Sequence, residues 1–172
     1  MADYHYMQAG EIIKILTMFR QDFSRLALFQ GLSGEQLSQL EPLLALYHFR
    51  QNHVIFEQGH SAEHLFILQI GEVEVRYKPY DGPTLMVARI RLGGVFGWSA
   101  ALRRSFYTSS AVAVQECYAY RISGLQLQQL CKRFPETGVV VLERLADVIA
   151  ERLRSTHTQV VQVLSQGMEI DR

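Results

Sequence analysis

Hydrophobic and polar positions change their period twice along this chain. Ile12, Ile15, Leu16, Phe19, Phe23 and Leu26 recur at three- and four-residue steps, which predicts a helix over residues 11–30, stopped by Gly31. Ser33, with Gln36 three residues later, reads as a capping box that opens a second short helix through Leu37 and Leu40. From about Leu46 to Ile122 the segments are short, rich in β-branched and aromatic residues, and punctuated by glycine. That texture predicts strands over 46–50, 53–57, 65–70, 72–77, 84–91, 108–114 and 118–122. Residues 72–77 alternate charged and apolar positions, as an antiparallel strand with one wet face should. Asp81 and Gly82, between Pro79 and Pro83, form the turn into the next strand. Short strands at this spacing predict a jelly-roll β-barrel.

Helical spacing returns after Ser123. Ser123 with Gln126 reads as another capping box, and Leu127, Leu130 and Phe134 mark a short helix that ends at Pro135. Beyond it, no glycine after Gly138 and no proline interrupt the chain before Gln166. Leu142, Ala146, Ile149, Leu153, Thr156, Val160 and Val163 fall on alternating four- and three-residue steps, a heptad seam suited to dimerisation. A helix over residues 137–166 would extend about 45 Å, more than one small barrel covers.

The 172 residues suffice for one domain and an appended helix, with a core that needs no staples. Seventeen basic residues balance 17 acidic ones, which argues against a nucleic-acid-coating surface. Cys117 and Cys131 show no CxxC spacing and read as buried thiols in a reducing compartment. No apolar segment near Met1 suggests a signal peptide, and no window is long enough to span a bilayer. The expectation is a cytoplasmic soluble protein with no membrane partner.

Candidate chemistry concentrates between Leu65 and Ala113. Gly59 and Gly71 bracket one strand and would turn tight corners with positive φ. Gly97 has two readings, a plain barrel turn or a close backbone approach to a ligand at the start of a short helix. No HxH or HExxH pattern occurs, although His53, His60 and His64 could meet in a jelly roll as in cupins; the expected metal set is none. The Gly97–Trp98–Ser99 run lacks the second glycine of a nucleophile elbow, so no catalytic set is expected.

The run Ile55–Phe56–Glu57–Gln58–Gly59, then Leu65–Phe66–Ile67–Leu68, then Gly71–Glu72–Val73, resembles the cyclic-nucleotide-binding domain of bacterial catabolite activators and protein kinase A regulatory subunits. Leu92–Gly93–Gly94–Val95–Phe96–Gly97 resembles that family's approach to its phosphate-binding cassette. Leu28–Phe29–Gln30–Gly31–Leu32–Ser33 looks like its entry helix and Phe134–Pro135–Glu136 like its hinge helix. The resemblance covers residues 25 to 155. It implies an eight-stranded jelly-roll barrel holding a cyclic nucleotide, followed by a helix that closes over the ligand and often dimerises.

Two positions depart from the family pattern. The family's ribose-binding glutamate is replaced by Trp98, whose indole donates one N–H and accepts nothing. The arginine that pairs with the cyclic phosphate falls on Tyr107 or, with a one-residue slip, on Thr108. Trp98 is then either a plug in the emptied pocket or a stacking platform for a flat ligand. Arg103 and Arg104 could supply a phosphate charge or could simply stand in solvent at a loop tip, and Thr108, Ser109 and Ser110 offer hydroxyls beside them.

The expected fold is α+β and mainly β. An N-terminal helical segment occupies 1–33, a jelly-roll cyclic-nucleotide-binding-like domain 34–134, and a C-terminal dimerisation helix with its tail 135–172. The expected ligand-binding residues are Phe96, Gly97, Trp98, Ser99, Ala100, Tyr107, Thr108 and Ser109, with backbone N–H groups near Ser99 and Ala100 meeting phosphate. The expected dimer residues are Leu142, Ala146, Ile149, Leu153, Thr156 and Val160. The function expected is a non-enzymatic sensory module that binds cyclic AMP or cyclic GMP weakly, or an altered ligand, and signals through its last helix as a homodimer or to a protein partner. The few residues after Gln166 cannot read DNA, so a stand-alone module is expected. The alternatives are the sensor part of a catabolite-activator-like transcription regulator and a cupin-like metalloenzyme.

Overall fold

A computed structural model describes residues 26–169 of the chain, with side chains through Ser155. The helix expected over 11–30 lies outside the described residues except at its end, where Ala27–Phe29 form a single 3-10 turn. The side chains of Thr156, Val160 and Val163 lie outside them as well.

Helix α1 (Gly34–Leu40) starts at a complete capping box: the Gln36 amide donates to the Ser33 hydroxyl, and the Ser33 amide donates to the Gln36 side chain. Strands β1 (Ala45–Phe49), β2 (Val54–Phe56), β3 (His64–Ile70), β4 (Val73–Tyr77), β5 (Leu85–Ile90), β7 (Ser110–Ala113) and β8 (Cys117–Ser123) match the seven expected segments closely. An eighth, β6 (Val95–Phe96), completes the eight strands that the family resemblance implies; the residue pattern alone does not place it, because two residues between glycines are too short to show a period. The strands form two antiparallel four-stranded sheets, β1-β8-β3-β6 and β2-β7-β4-β5, and not one continuously bonded ring. This is the expected mainly-β jelly roll with flanking helices. Gly59 and Gly71 take positive φ at the strand corners, as their positions suggested.

Strand β3 shows why the layers stack as they do. Leu65 and Ile67 point to one side, into a cluster with Leu28, Phe29, Leu40, Ile122, Leu127, Val141 and Leu145. Phe66 and Leu68 point to the other, into a cluster with Val73, Ile90, Phe96, Ala111 and Ala119. One sheet is therefore buried on both faces, with the helices on one side and the second sheet on the other. Across β4 and β5 the second sheet's outer face carries charge instead, with Arg89 bridging Glu72 at 2.9 Å and Glu74 at 3.0 Å.

Two helices close the chain, α2 (Gly124–Arg133) and α3 (Pro135–Glu169). The α2 cap uses only half of the expected box, the Gln126 amide donating to the Ser123 hydroxyl at 3.4 Å. The helices approach closely at Gly138, where an added Cβ would lie 2.7 Å from the Cα of Cys131. Both cysteines are free thiols, and burial raises the pKa of each. Of the expected seam, Leu142, Ala146 and Leu153 face solvent, whereas Ile149 packs partly against the chain's own helix-side core. No helix among the described residues is long and apolar enough to cross a membrane.

Candidate functional site

The site is built where β6 leaves the sheet. Phe96 pairs with Phe66 across the β3–β6 ladder, their rings stacked 5.1 Å apart between the sheets. Phe56 of β2 stacks on the same group, 5.8 Å from Phe66 and 6.2 Å from Phe96. Gly97 follows with φ 73°, and an added Cβ there would lie 2.8 Å from the His64 carbonyl oxygen and 3.2 Å from two of these rings. The close approach that this glycine permits is thus to the protein's own backbone and core.

Residues 98–103 form successive turns in place of the expected short helix. Ser99 and Ala100 are buried, and the Ala100 amide donates to the Gly97 carbonyl at 3.2 Å, so that N–H is already engaged. The Arg104 amide donates to the Ser99 carbonyl at 2.9 Å. The side chains of Arg103 and Arg104 are exposed, and Arg103 takes φ 58° at the loop tip.

Tyr107 turns inward. Its ring lies 3.8 Å from that of Phe56, near parallel. Its hydroxyl donates to the His64 carbonyl at 2.7 Å and accepts from the His64 amide at 3.0 Å. Burial pushes the Tyr107 phenol above its ordinary range. Burial, helped by the nearby Arg121 and opposed by Glu63, holds the His64 ring below its own. Thr108 is exposed and Ser109 half-buried; the Ser110 hydroxyl accepts from the Gln58 amide and donates to Glu57.

Trp98 points away from this aromatic group, into the helix-side core. The guanidinium of Arg152, from α3, lies over its ring at 4.5 Å and donates to the Val95 carbonyl at 2.9 Å. Burial lowers the Arg152 pKa to about 10, so the side chain stays charged at neutral pH. Arg152 also lines a cleft of about 790 Å³ between β5 and α3, together with Arg89, Asp147 and Glu151. The structure therefore brings Phe96, Gly97 and Tyr107 together inside the roll. It sends Trp98 to the helices and leaves Thr108, Arg103 and Arg104 outside. Arg152 escaped the sequence reading, although one signal existed: a cation at the i+7 position of the apolar face that includes Leu145 and Val148. Among the described residues, no group of three or more His, Cys, Asp or Glu side chains is placed to hold a metal.

Comparison with known proteins gives a consistent picture. The family described as cyclic nucleotide-binding domain matches residues 46–134. A CRP-like cAMP-activated global transcriptional regulator of Mycobacterium tuberculosis is 25% identical over 141 residues, which cover 82% of this chain and 61% of that protein. The chain thus spans less than two thirds of that relative's length. The fold superposes on a cyclic nucleotide-binding domain from Methylobacillus flagellatus with a TM-score of 0.78 at 19% identity, covering 86% of this chain and 85% of the other. It superposes on the Thermus thermophilus catabolite activator protein with a TM-score of 0.66 at 26% identity, covering 81% and 63%.

Proposed function

The chain belongs to the cyclic nucleotide-binding domain family, and we propose that it is a non-enzymatic cytoplasmic regulatory module whose pocket holds cyclic AMP or cyclic GMP weakly or takes another small ligand. The observation that carries this reading is Tyr107. A cyclic phosphate entering the roll leaves water and needs a donor of comparable strength, which an arginine supplies as a bidentate, charge-assisted pair. Tyr107 offers one neutral hydroxyl, and that hydroxyl is already bonded to the His64 backbone on both its donor and acceptor sides. A lost charge-assisted bond costs about 1.5–3 kcal/mol, and a missing ribose acceptor at Trp98 about 1–3 kcal/mol more. At 1.4 kcal/mol per tenfold, affinity falls by about 10² to 10⁴ relative to a site with both anchors.

Arg103 and Arg104 do not supply the missing charge in this reading, since both side chains stand in solvent. Of the remaining expected pocket residues, Phe96, Gly97, Ser99, Ala100 and Ser109 would shape the cavity more than bind charge, and Thr108 stands in solvent. Calorimetry with each cyclic nucleotide tests the proposal. Weak or undetectable heats are expected, and a submicromolar dissociation constant for either overturns it.

We further propose that α3 carries the output and pairs with a second copy of the chain, the roll at 34–134 sensing and the segment from residue 135 transmitting. The exposure of Leu142, Ala146 and Leu153 on α3 supports this division, because an apolar stripe at heptad spacing is otherwise left in water. Leu153→Glu is expected to turn dimers into monomers in light scattering, and a wild-type monomer at micromolar concentration overturns the pairing. A second reading, the sensor part of a transcription regulator, is favoured by the match to 61% of the length of the Mycobacterium tuberculosis protein; a gel shift with the longer protein would expose it.

A further inference from the structure

Two exposed turns of the roll carry a side chain that its own backbone can attack. One is Asn52–His53, between β1 and β2; the other is Asp81–Gly82, in the loop that joins β4 to β5. In each, the amide nitrogen of the second residue can close a five-membered ring on the side-chain carbonyl carbon of the first. That nitrogen must shed its proton and swing toward the carbon, so a hydrogen bond on the amide, or a side chain beside it, holds the reaction back. The two turns differ in this respect. The His53 amide donates to the Arg50 carbonyl at 3.1 Å, and the Asn52 amide to the Ala113 carbonyl at 2.7 Å. The Gly82 amide makes no hydrogen bond of ordinary length and angle among the described residues. Gly82 also brings no side chain to shield its nitrogen, and Asp81 stands in solvent. Asp147 offers a third comparison: its successor Val148 is β-branched and lies inside α3, where the helix engages the amide.

We propose that Asp81–Gly82 is a site of spontaneous covalent modification, at which the backbone isomerises to an isoaspartyl linkage and loosens the β4–β5 hairpin as the protein ages. The Gly82 nitrogen attacks Cγ of the protonated Asp81 carboxyl. The N–Cγ bond forms, the Cγ–O bond to the hydroxyl breaks, and that hydroxyl departs with the amide proton as water. Water then adds back to the resulting succinimide at either ring carbonyl. Breaking the N–Cγ bond restores aspartate. Breaking the bond from nitrogen to the main-chain carbonyl carbon leaves the chain running through Cβ and Cγ, with the former main-chain carbonyl as a free carboxylate. One water leaves and one returns, so mass and charge are unchanged while the backbone gains one carbon. The Gln58 side chain decides where that carbon is absorbed. It donates to the Lys78 carbonyl at 3.1 Å and accepts from the Lys78 amide at 2.9 Å, which fixes the β4 side of the loop. The slack therefore falls on the β5 side, where Tyr77–Leu85 is the last pair of the ladder. Strand β5 is an edge strand bonded to β4 alone, so no strand on its far side resists the change.

The test keeps the folded full chain warm at neutral pH for several weeks. Isoaspartate is then assayed by methyl transfer from S-adenosylmethionine, catalysed by an isoaspartyl carboxyl methyltransferase, and mapped on tryptic peptides. Methyl uptake is expected in the peptide 77–89, at unchanged mass and altered elution, with none in the peptides that carry Asn52 and Asp147. Asp81→Glu should abolish the uptake, because the longer side chain would have to close a six-membered ring. Gly82→Ala should slow it independently, although its added methyl group must displace the Pro79 ring, 2.9 Å away. In the isoaspartyl fraction, the amide hydrogens of Leu85 and Met86 should exchange faster while β3 and β8 stay protected. Absence of uptake in 77–89 overturns the proposal, and so does equal uptake in the peptide carrying Asn52. Uptake that appears only after unfolding in urea also overturns it, since the folded turn would then shield Gly82. Unaltered exchange at Leu85 and Met86 in the isoaspartyl fraction overturns the loosening of the hairpin.

Discussion

Strand β3 feeds two cores that differ in kind. Between the sheets, the core is a set of stacked rings, Phe56, Phe66, Phe96 and Tyr107, closed against small residues such as Ala111, Ala113 and Ala119. On the helix side, aliphatic residues from distant parts of the chain meet: Leu28 and Leu40 from the start, Leu127 and Leu130 from α2, and Val141 and Leu145 from α3. The first core contains the rings beside Gly97, where the ligand site is proposed, and the second grips α3, the helix proposed to carry the output. Rings stacked at fixed separations resist small adjustments, because rotating one displaces its neighbours. Aliphatic side chains packed between a sheet and helices allow shear at lower cost. The difference teaches that one strand can feed a rigid core and a yielding one while the two stay mechanically distinct. The Gly97–Ala100 turn is where they touch, since Phe96 faces the rings and Trp98 the helices.

The largest effect should come from removing a ring. Phe96→Ala is expected to cost about 3–5 kcal/mol, because a fully buried ring leaves a void that its stiff neighbours cannot fill. At roughly 2–4 °C per kcal/mol for chains of this size, the melting temperature should fall by about 10 °C. Leu145→Ala should cost about 2–5 kcal/mol and act elsewhere. Amide exchange separates the two variants: Phe96→Ala should loosen β2, β6 and β7, while Leu145→Ala should loosen α3 and leave those strands protected. If both variants raise exchange everywhere alike, the two cores are one cooperative unit and the comparison collapses.

Legibility in the sequence follows the same division. The strands could be read because their short, β-branched segments and glycine corners leave a local trace, as Gly59 and Gly71 do. The Ser33 box was legible for the same reason, since both of its partners lie within four residues. Strand β6 was not, because two residues carry no period. For the candidate site, the sequence pointed to a neighbourhood of the chain but not to the orientations of its side chains. Nothing local to Trp98 says that it turns toward α3, and nothing local to Tyr107 says that its hydroxyl ties back to His64 across 43 residues of chain. Ile149 shows the limit most plainly. On heptad spacing it belongs to an exposed seam, yet 3.6 residues per turn drifts against a period of 3.5, and the residue lands at the border of the helix-side core.

The smallest expected effect sharpens the comparison by loosening the ring core alone. His64 opens β3 on the same side as Phe66, with its ring 6.4 Å from that of Phe66, and its backbone is tied to Tyr107 in both directions. Burial, with Arg121 adding to it, holds the imidazole below its ordinary pKa, while Glu63 pulls the other way. The unfolded chain binds a proton at His64 near pH 6.5, and the folded chain binds it only at lower pH. Above that pH the two states carry the same charge at this residue, and its contribution to stability is fully present. As the pH falls through 6.5 the unfolded state gains protons first, so stability declines until the folded ring also titrates. Partial exposure of the ring keeps the decline modest. The check is a difference measurement, wild type against His64→Gln, in urea unfolding at pH 7.5 and 5.5. The wild type should lose more stability than the variant over that interval, and acid exchange should rise first near Tyr107 and β2 while α3 holds. Equal losses in the two proteins would show that His64 does not couple protonation to the ring core.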